Sequence, residues 1–430
     1  MKNLKISIVI AVSFVLSACS TTYYLPKPPN VYTTTTPYPS ADVPPEKQSA
    51  TSQIVYVTDR LPVRSKAGEL EFGDERFAVM QYGIAQVRIG EDKSWNDITS
   101  AANSDISRIK MKVTRQSVLP QSEFPRTPLL FTLDKGITTF NAEQAQLFER
   151  AREDFRAFIR DELESASKKD VVVYIHGFNT SFEEALFTTN DIYHYSGRAI
   201  VPIAYSWPAG DGNIFGYFHD QSSADYTIYH LKELFRNLMS MPEINNIHVV
   251  AHSLGTEATT TALRELLIET RAAGENPLDK FNIENLILAA PDIDYGVVTQ
   301  RLIAEQFAAG FGRITVYTNP RDKALSLSGL LQASLRFGKL LPTEEGERPK
   351  EIFQGVTNVS FITVNSKTPG ISNHGYFVKN PSALSDIVRL INTPSDAGTP
   401  TRPLKSLGGN FWEMGENYLK GAAQPLETSN

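Results

Sequence analysis

The sequence predicts an α/β protein with a mostly parallel sheet, helices on both faces and an N-terminal β-rich extension. Three observations carry this. From residue 170 onward, short apolar runs alternate with helical segments, the rhythm of a parallel sheet wound by crossover helices. Residues 171–175 are continuously apolar, as a strand buried on both faces requires. Of 430 residues, 41% are hydrophobic and 21% charged, an ordinary globular balance that excludes a disordered chain.

Taken in chain order, residues 1–18 have the three parts of a secretory signal: Lys2 and Lys5, the apolar stretch 6–18, and Leu16-Ser17-Ala18 before Cys19. The apolar stretch is too short to span a bilayer as a helix, which needs about 20 residues. The Leu16–Cys19 segment resembles the lipobox of bacterial lipoproteins, and Cys19 is the chain's one cysteine. That resemblance implies lipidation at Cys19 and a membrane partner through it. With Ser20 following, it implies the outer membrane, facing the periplasm. One cysteine also excludes an internal disulfide and a thiolate zinc site. Residues 19–50 carry seven prolines and a threonine run, and read as an extended, flexible tether.

Residues 51–140 form the β-rich extension, with strand character at 54–58 and 84–89. The catalytic domain is expected over 141–392. It opens on a helix at 141–167, started by the capping-box-like pair Asn141 and Gln144. Strands follow at 171–175, 200–205, 247–251, 286–290, 314–317 and 359–364. Helices fall at about 181–194, 222–239, 255–272, 297–307, 323–337 and 382–392. A Gly-rich loop over 208–220 carries Phe215, Tyr217 and Phe218, as pocket border or as core. Residues 393–430 read as a loosely packed tail. The formal charge of −6 leaves no basic surplus for phosphates and argues against a nucleic-acid partner.

The chemistry concentrates at strand ends. The helix expected at 255–272 follows its strand through Ala251-His252-Ser253-Leu254-Gly255, a G-x-S-x-G turn whose first glycine is alanine. Such a turn needs small neighbours and presents the serine to the N-terminus of the following helix. Read alone, a serine there is also a common helix N-cap. A serine nucleophile needs a base, and the base an orienting acid. Only one of the seven histidines, His374, follows Ser253. Asp322, after the strand 314–317, is the favoured acid; Asp292, in Pro291-Asp292, is the alternative. His176-Gly177-Phe178-Asn179 after strand 171–175 suggests an oxyanion hole made by the Phe178 and Leu254 N–H groups.

These motifs together resemble the α/β-hydrolase superfamily. More closely, the chain is similar to bacterial uncharacterised α/β hydrolases sharing HGFN, Ser206-Trp207-Pro208 and Pro291-Asp292-Ile293-Asp294. The resemblance implies the α/β-hydrolase fold and an esterase- or lipase-like acyl hydrolase acting on a small-molecule or lipid ester. It requires neither metal nor organic cofactor. Peptidase, amidase or acyltransferase chemistry on the same site, or a non-catalytic envelope binding protein on this scaffold, are the alternatives. The sequence does not address oligomeric state.

Overall fold

The computed structural model describes residues 22–420, apart from 33–35, 104–109, 211–213, 333, 340–352, 354 and 366–371. The signal segment 1–18, Cys19 and residues 421–430 lie outside the described residues.

The strands are β1 (Thr51–Arg64), β2 (Leu70–Ile89), β3 (Val113–Glu123), β4 (Phe131–Asp134), β5 (Ile137–Phe140), β6 (Asp170–Ile175), β7 (Val201–Ser206), β8 (Asn246–His252), β9 (Ile283–Ala289), β10 (Arg313–Thr318), β11 (Val359–Val364), β12 (Lys405–Gly408) and β13 (Phe411–Met414). The longer helices are α1 (Trp95–Ala102), α2 (Ala142–Glu164), α3 (Phe182–Tyr195), α4 (Ile214–Met239), α5 (Gly255–Ala272), α6 (Lys323–Gln332) and α7 (Pro381–Asn392).

Among the described residues, eleven strands form one sheet in the order β12-β13-β11-β10-β9-β8-β6-β7-β1-β2-β3, and β4–β5 is a separate hairpin. From β1 across to β13 the strands run parallel; β2 and β12 run the other way, and β3 pairs antiparallel with β2. This is the expected α/β-hydrolase architecture. All six residues of β6 are buried, Val171 and Val173 toward one core and Val172 and Tyr174 toward the other. One core packs α2, α4 and α5 on the sheet; the other packs α3 and α7. The β-rich extension shares the sheet through the parallel pairing of β1 with β7.

Several expectations are corrected. The supposed tether is docked: Val31, Tyr32, Tyr38 and Val43 are buried, and the Tyr23 hydroxyl donates to Asp191 at 2.7 Å. Prolines interrupt helix and sheet, but the tyrosines and valines between them still gain by burial. The supposed loose tail adds β12 and β13 to the sheet, and Arg402 clamps buried Asp386 at 2.9 and 2.8 Å. Helix α4 starts at Ile214, so the expected loop 208–220 is mostly helix. There Tyr217 is core and Phe218 is half exposed. The helices expected at 297–307 and 323–337 are shorter. The first is a π turn, Val298–Ile303, and a 3-10 turn, Phe307–Gly310. The second ends at Gln332, after which Arg336 bridges Asp294. At α2, Asn141 caps Gln144 N–H, but the Gln144 side chain accepts from Leu130 N–H instead of closing a capping box.

Candidate active site

Strand β8 runs into Ser253 and Leu254 and then into α5. Ser253 has φ +53°, a left-handed conformation costing about 1–3 kcal/mol that only a fixed surrounding sustains. That surrounding is visible. The Ser253 N–H donates to Ala289 O at 3.0 Å, and the Asp292 N–H donates to Ser253 O at 3.3 Å. A Cβ at Gly255 would lie 2.0 Å from His176 O, and one at Gly177 would lie 2.6 Å from Ser253 Cβ. Only glycine lets these three segments meet. Ala251, fully buried, fits where the common pattern has glycine. Ser253 itself is 4% exposed.

The loop after β6 is braced by His176 and by Arg60, a strand residue with no motif around it. Arg60, from β1 and 1% exposed, donates from Nε to Ser206 Oγ at 2.8 Å. Its Nη1 reaches Gly73 O and Ala209 O, and its Nη2 reaches Thr180 O at 2.6 Å and His176 Nε2 at 3.3 Å. His176 Nδ1 lies 2.9 Å from Gly177 O, so the network assigns the proton to Nδ1 and leaves Nε2 to accept. Burial, then the Arg60 charge, holds the His176 imidazole well below its ordinary pKa, hence neutral. Trp207 Nε1–H donates to His176 O at 2.8 Å and its ring stacks on the imidazole at 4.9 Å. Asp220 accepts from the Asn179 N–H at 2.8 Å. Among the described hydrogen bonds, the N–H groups of Phe178 and Leu254 have no acceptor within the protein.

On the other side of Ser253, His374 Nδ1 lies 2.7 Å from Asp322 Oδ2. Asp322 is fully buried, and its Oδ1 accepts from Leu325 N–H, capping the start of α6. Burial lowers the pKa of His374, but the Asp322 charge and hydrogen bond more than offset this, with Asp292 adding, so the net shift is upward. Lys323 N–H donates to Ser372 O at 2.9 Å and ties the two loops together. The His374 ring lies 4.6 Å from that of His252, which in turn stacks on Phe377. Among the described hydrogen bonds, none joins Ser253 Oγ to His374.

The structure thus brings Asp322 to His374 and takes Asp292 elsewhere. Asp292 accepts from Tyr217 OH at 3.0 Å and Ser328 OH at 2.6 Å. Arg336 Nε lies 3.2 Å from it, without the alignment of a hydrogen bond. Glu257, in the first turn of α5, is pushed up to about 7 by burial, then by Asp225 and Asp292. Among the described residues no group of three or more His, Cys, Asp or Glu could hold a metal, and no helix is long and apolar enough to cross a membrane.

The profile of the family described as "Alpha/beta hydrolase of unknown function (DUF900)" matches residues 151–393. Among solved structures, Est1E of Butyrivibrio proteoclasticus with bound ferulic acid is similar at 11% identity and TM-score 0.32, over 53% of this chain and 91% of its own. The esterase Pf2001 of Pyrococcus furiosus is similar at 14% identity and TM-score 0.31, over 52% and 83%. No curated protein matches the sequence.

Proposed function

We propose that this chain, which belongs to the DUF900 family of α/β hydrolases of unknown function, is a serine hydrolase of carboxylic esters. The observation that carries the reading is the His374–Asp322 pair at 2.7 Å, delivered to the same sheet end as a left-handed Ser253. A fold alone does not assign an activity; these residues do the arguing.

In this reading His374 takes the Ser253 proton as Oγ attacks the acyl carbon. The oxyanion is held by the Phe178 and Leu254 N–H groups, aided by the N-terminus of α5. The protonated imidazole, stabilised by Asp322, gives its proton to the leaving alcohol. Water, activated by His374, then clears the acyl-enzyme and frees Ser253. The mechanism needs the Oγ–Nε2 hydrogen bond in the substrate complex, where such bonds tighten. No metal or organic cofactor enters. Lipidation at Cys19 would place this chemistry at the cell envelope, on the periplasmic side of the outer membrane.

The test is hydrolysis of p-nitrophenyl esters of graded chain length beside matching anilides. The reading expects ester turnover that Ser253→Ala abolishes. Anilide turnover exceeding ester turnover would instead support an amidase or peptidase. No turnover of either, with a folded protein, would support a binding role.

A further inference from the structure

We propose that His252 is the positioning residue of this site: it holds the loop that carries the base against the turn that carries the nucleophile. The inference rests on the hydrolase reading and deepens it, because it assigns a side chain that acts on the reaction only through His374.

His252 is the last residue of β8 and directly precedes Ser253. Its ring meets the loops on both sides of the nucleophile. The His374 ring is 4.6 Å away, centroid to centroid. His252 Nε2 lies 3.4 Å from His374 O, and among the described hydrogen bonds no other donor reaches that carbonyl. A Cβ at Gly177, in the loop of the proposed oxyanion donors, would lie 3.2 Å from His252 Nδ1. On the far side Phe377 stacks on His252 at 4.6 Å, and Tyr174 stacks on Phe377 at 6.2 Å. Phe377 and Tyr174 are both buried. A row of four rings thus runs from the base to β6 in the sheet.

Packing alone does not call for a histidine here. Val250 and His252 share one face of β8, the face that packs with Phe377 and α7. A phenylalanine would fill that place without burying a polar group. An imidazole there is costly unless its N–H finds an acceptor. The acceptor is the carbonyl of the base residue itself, which assigns the proton to Nε2. Burial, then the charge of His374, holds the His252 pKa well below its ordinary value. The ring is therefore neutral, and it sets no like charge beside the imidazolium that the reaction forms at His374.

The base half needs such a hold. Lys323 N–H fastens Ser372 O at 2.9 Å, and Asp322 holds the His374 imidazole at 2.7 Å. Both ties lead to the loop of Asp322, and neither leads to Ser253. His252 supplies the missing link. It restrains the His374 backbone and leaves the imidazole free to turn about its own torsions toward Oγ. Misplacing a reacting group by about 1 Å can cost on the order of 10²-fold in rate.

The test compares His252→Ala, His252→Phe and His252→Gln in the full chain, with p-nitrophenyl butyrate as substrate. Phenylalanine keeps the ring stack and loses the donor; glutamine keeps a donor at similar reach and loses the stack. His252→Ala is expected to lower kcat by about 10²-fold with KM within about threefold. His252→Phe and His252→Gln should each recover part of that loss, to about tenfold below the parent. His252→Phe, which preserves the packing, is then repeated in a His374→Ala background, read as the residual rate. A side chain that acts through His374 changes nothing further there. The same loss with and without His374, or kcat within about twofold of the parent for all three variants, would overturn the inference. In either case the parent's own turnover leaves the hydrolase reading standing. A folded parent that turns over no ester sinks that reading, and the assignment of His252 goes with it.

Discussion

Around Ser253 the backbone is pinned by groups from distant parts of the chain, whereas His374 rests on one short loop. The first half holds Gly177 and Gly255 at distances that exclude any side chain, and Arg60 alone reaches three further segments. The second half has one side-chain partner for the imidazole, Asp322, plus the Lys323–Ser372 backbone bond. The difference teaches that the two halves should fail differently. Damage to the base half should cost rate without fold. Damage to the groups that pin the nucleophile half, as distinct from the Ser253 hydroxyl itself, should cost both, because there packing and chemistry use the same atoms.

The largest expected effect comes from the residues meant to react. Ser253→Ala or His374→Ala should lower kcat on the order of 10⁴-fold or more while leaving the melting transition nearly unchanged. Asp322→Asn keeps an oxygen for the α6 cap but loses the charge. It should lower kcat by roughly 10⁴-fold and move the base limb of the pH–rate profile to lower pH. In the unsubstituted protein that limb should lie above the ordinary histidine value of about 6.5, because Asp322 favours the imidazolium. The sign for stability is opposite. The pair's contribution is complete below about pH 6.5 and is lost as pH rises through the raised value, where the neutral base appears.

Arg60→Met probes the other half. It removes the donor from Ser206 Oγ and from the carbonyls of Gly73, Ala209 and Thr180, two of these residues fully buried. It should cost about 3 kcal/mol or more of stability and lower kcat by roughly 10²-fold to 10³-fold. Loss of rate with stability intact would erase the contrast between the halves. The smallest effect belongs to Glu257→Gln. A carboxyl held near 7 in the fold and near 4.5 in the unfolded chain makes stability decline as pH rises from about 5 to 7. The substitution should flatten that decline in urea denaturation.

The parts of this architecture that the sequence displayed share a cause. Strands buried on both faces must be apolar throughout, so β6, β8, β9 and β10 were readable from residue type. The turn at Ser253 was readable because close backbone approach demands small residues at fixed offsets. Arg60 was not, since nothing in an arginine within a strand reveals partners 116 and 146 positions away. The docking of Val31, Tyr32, Tyr38 and Val43 is masked in the sequence by the seven prolines around them, and their apolar character is the signal that betrays it. In the C-terminal segment, Gly, Pro, Ser and Thr hide the partnership of Arg402 with Asp386, which Tyr317 and Tyr418 complete.

Covalent labelling tests the central claim most directly. The protein is treated with a fluorophosphonate, digested, and its peptides weighed. The account predicts one adduct, on the peptide carrying Ser253, formed faster as pH rises through the His374 titration and absent in Ser253→Ala. An adduct that persists in Ser253→Ala, or a folded protein that never reacts, would contradict it.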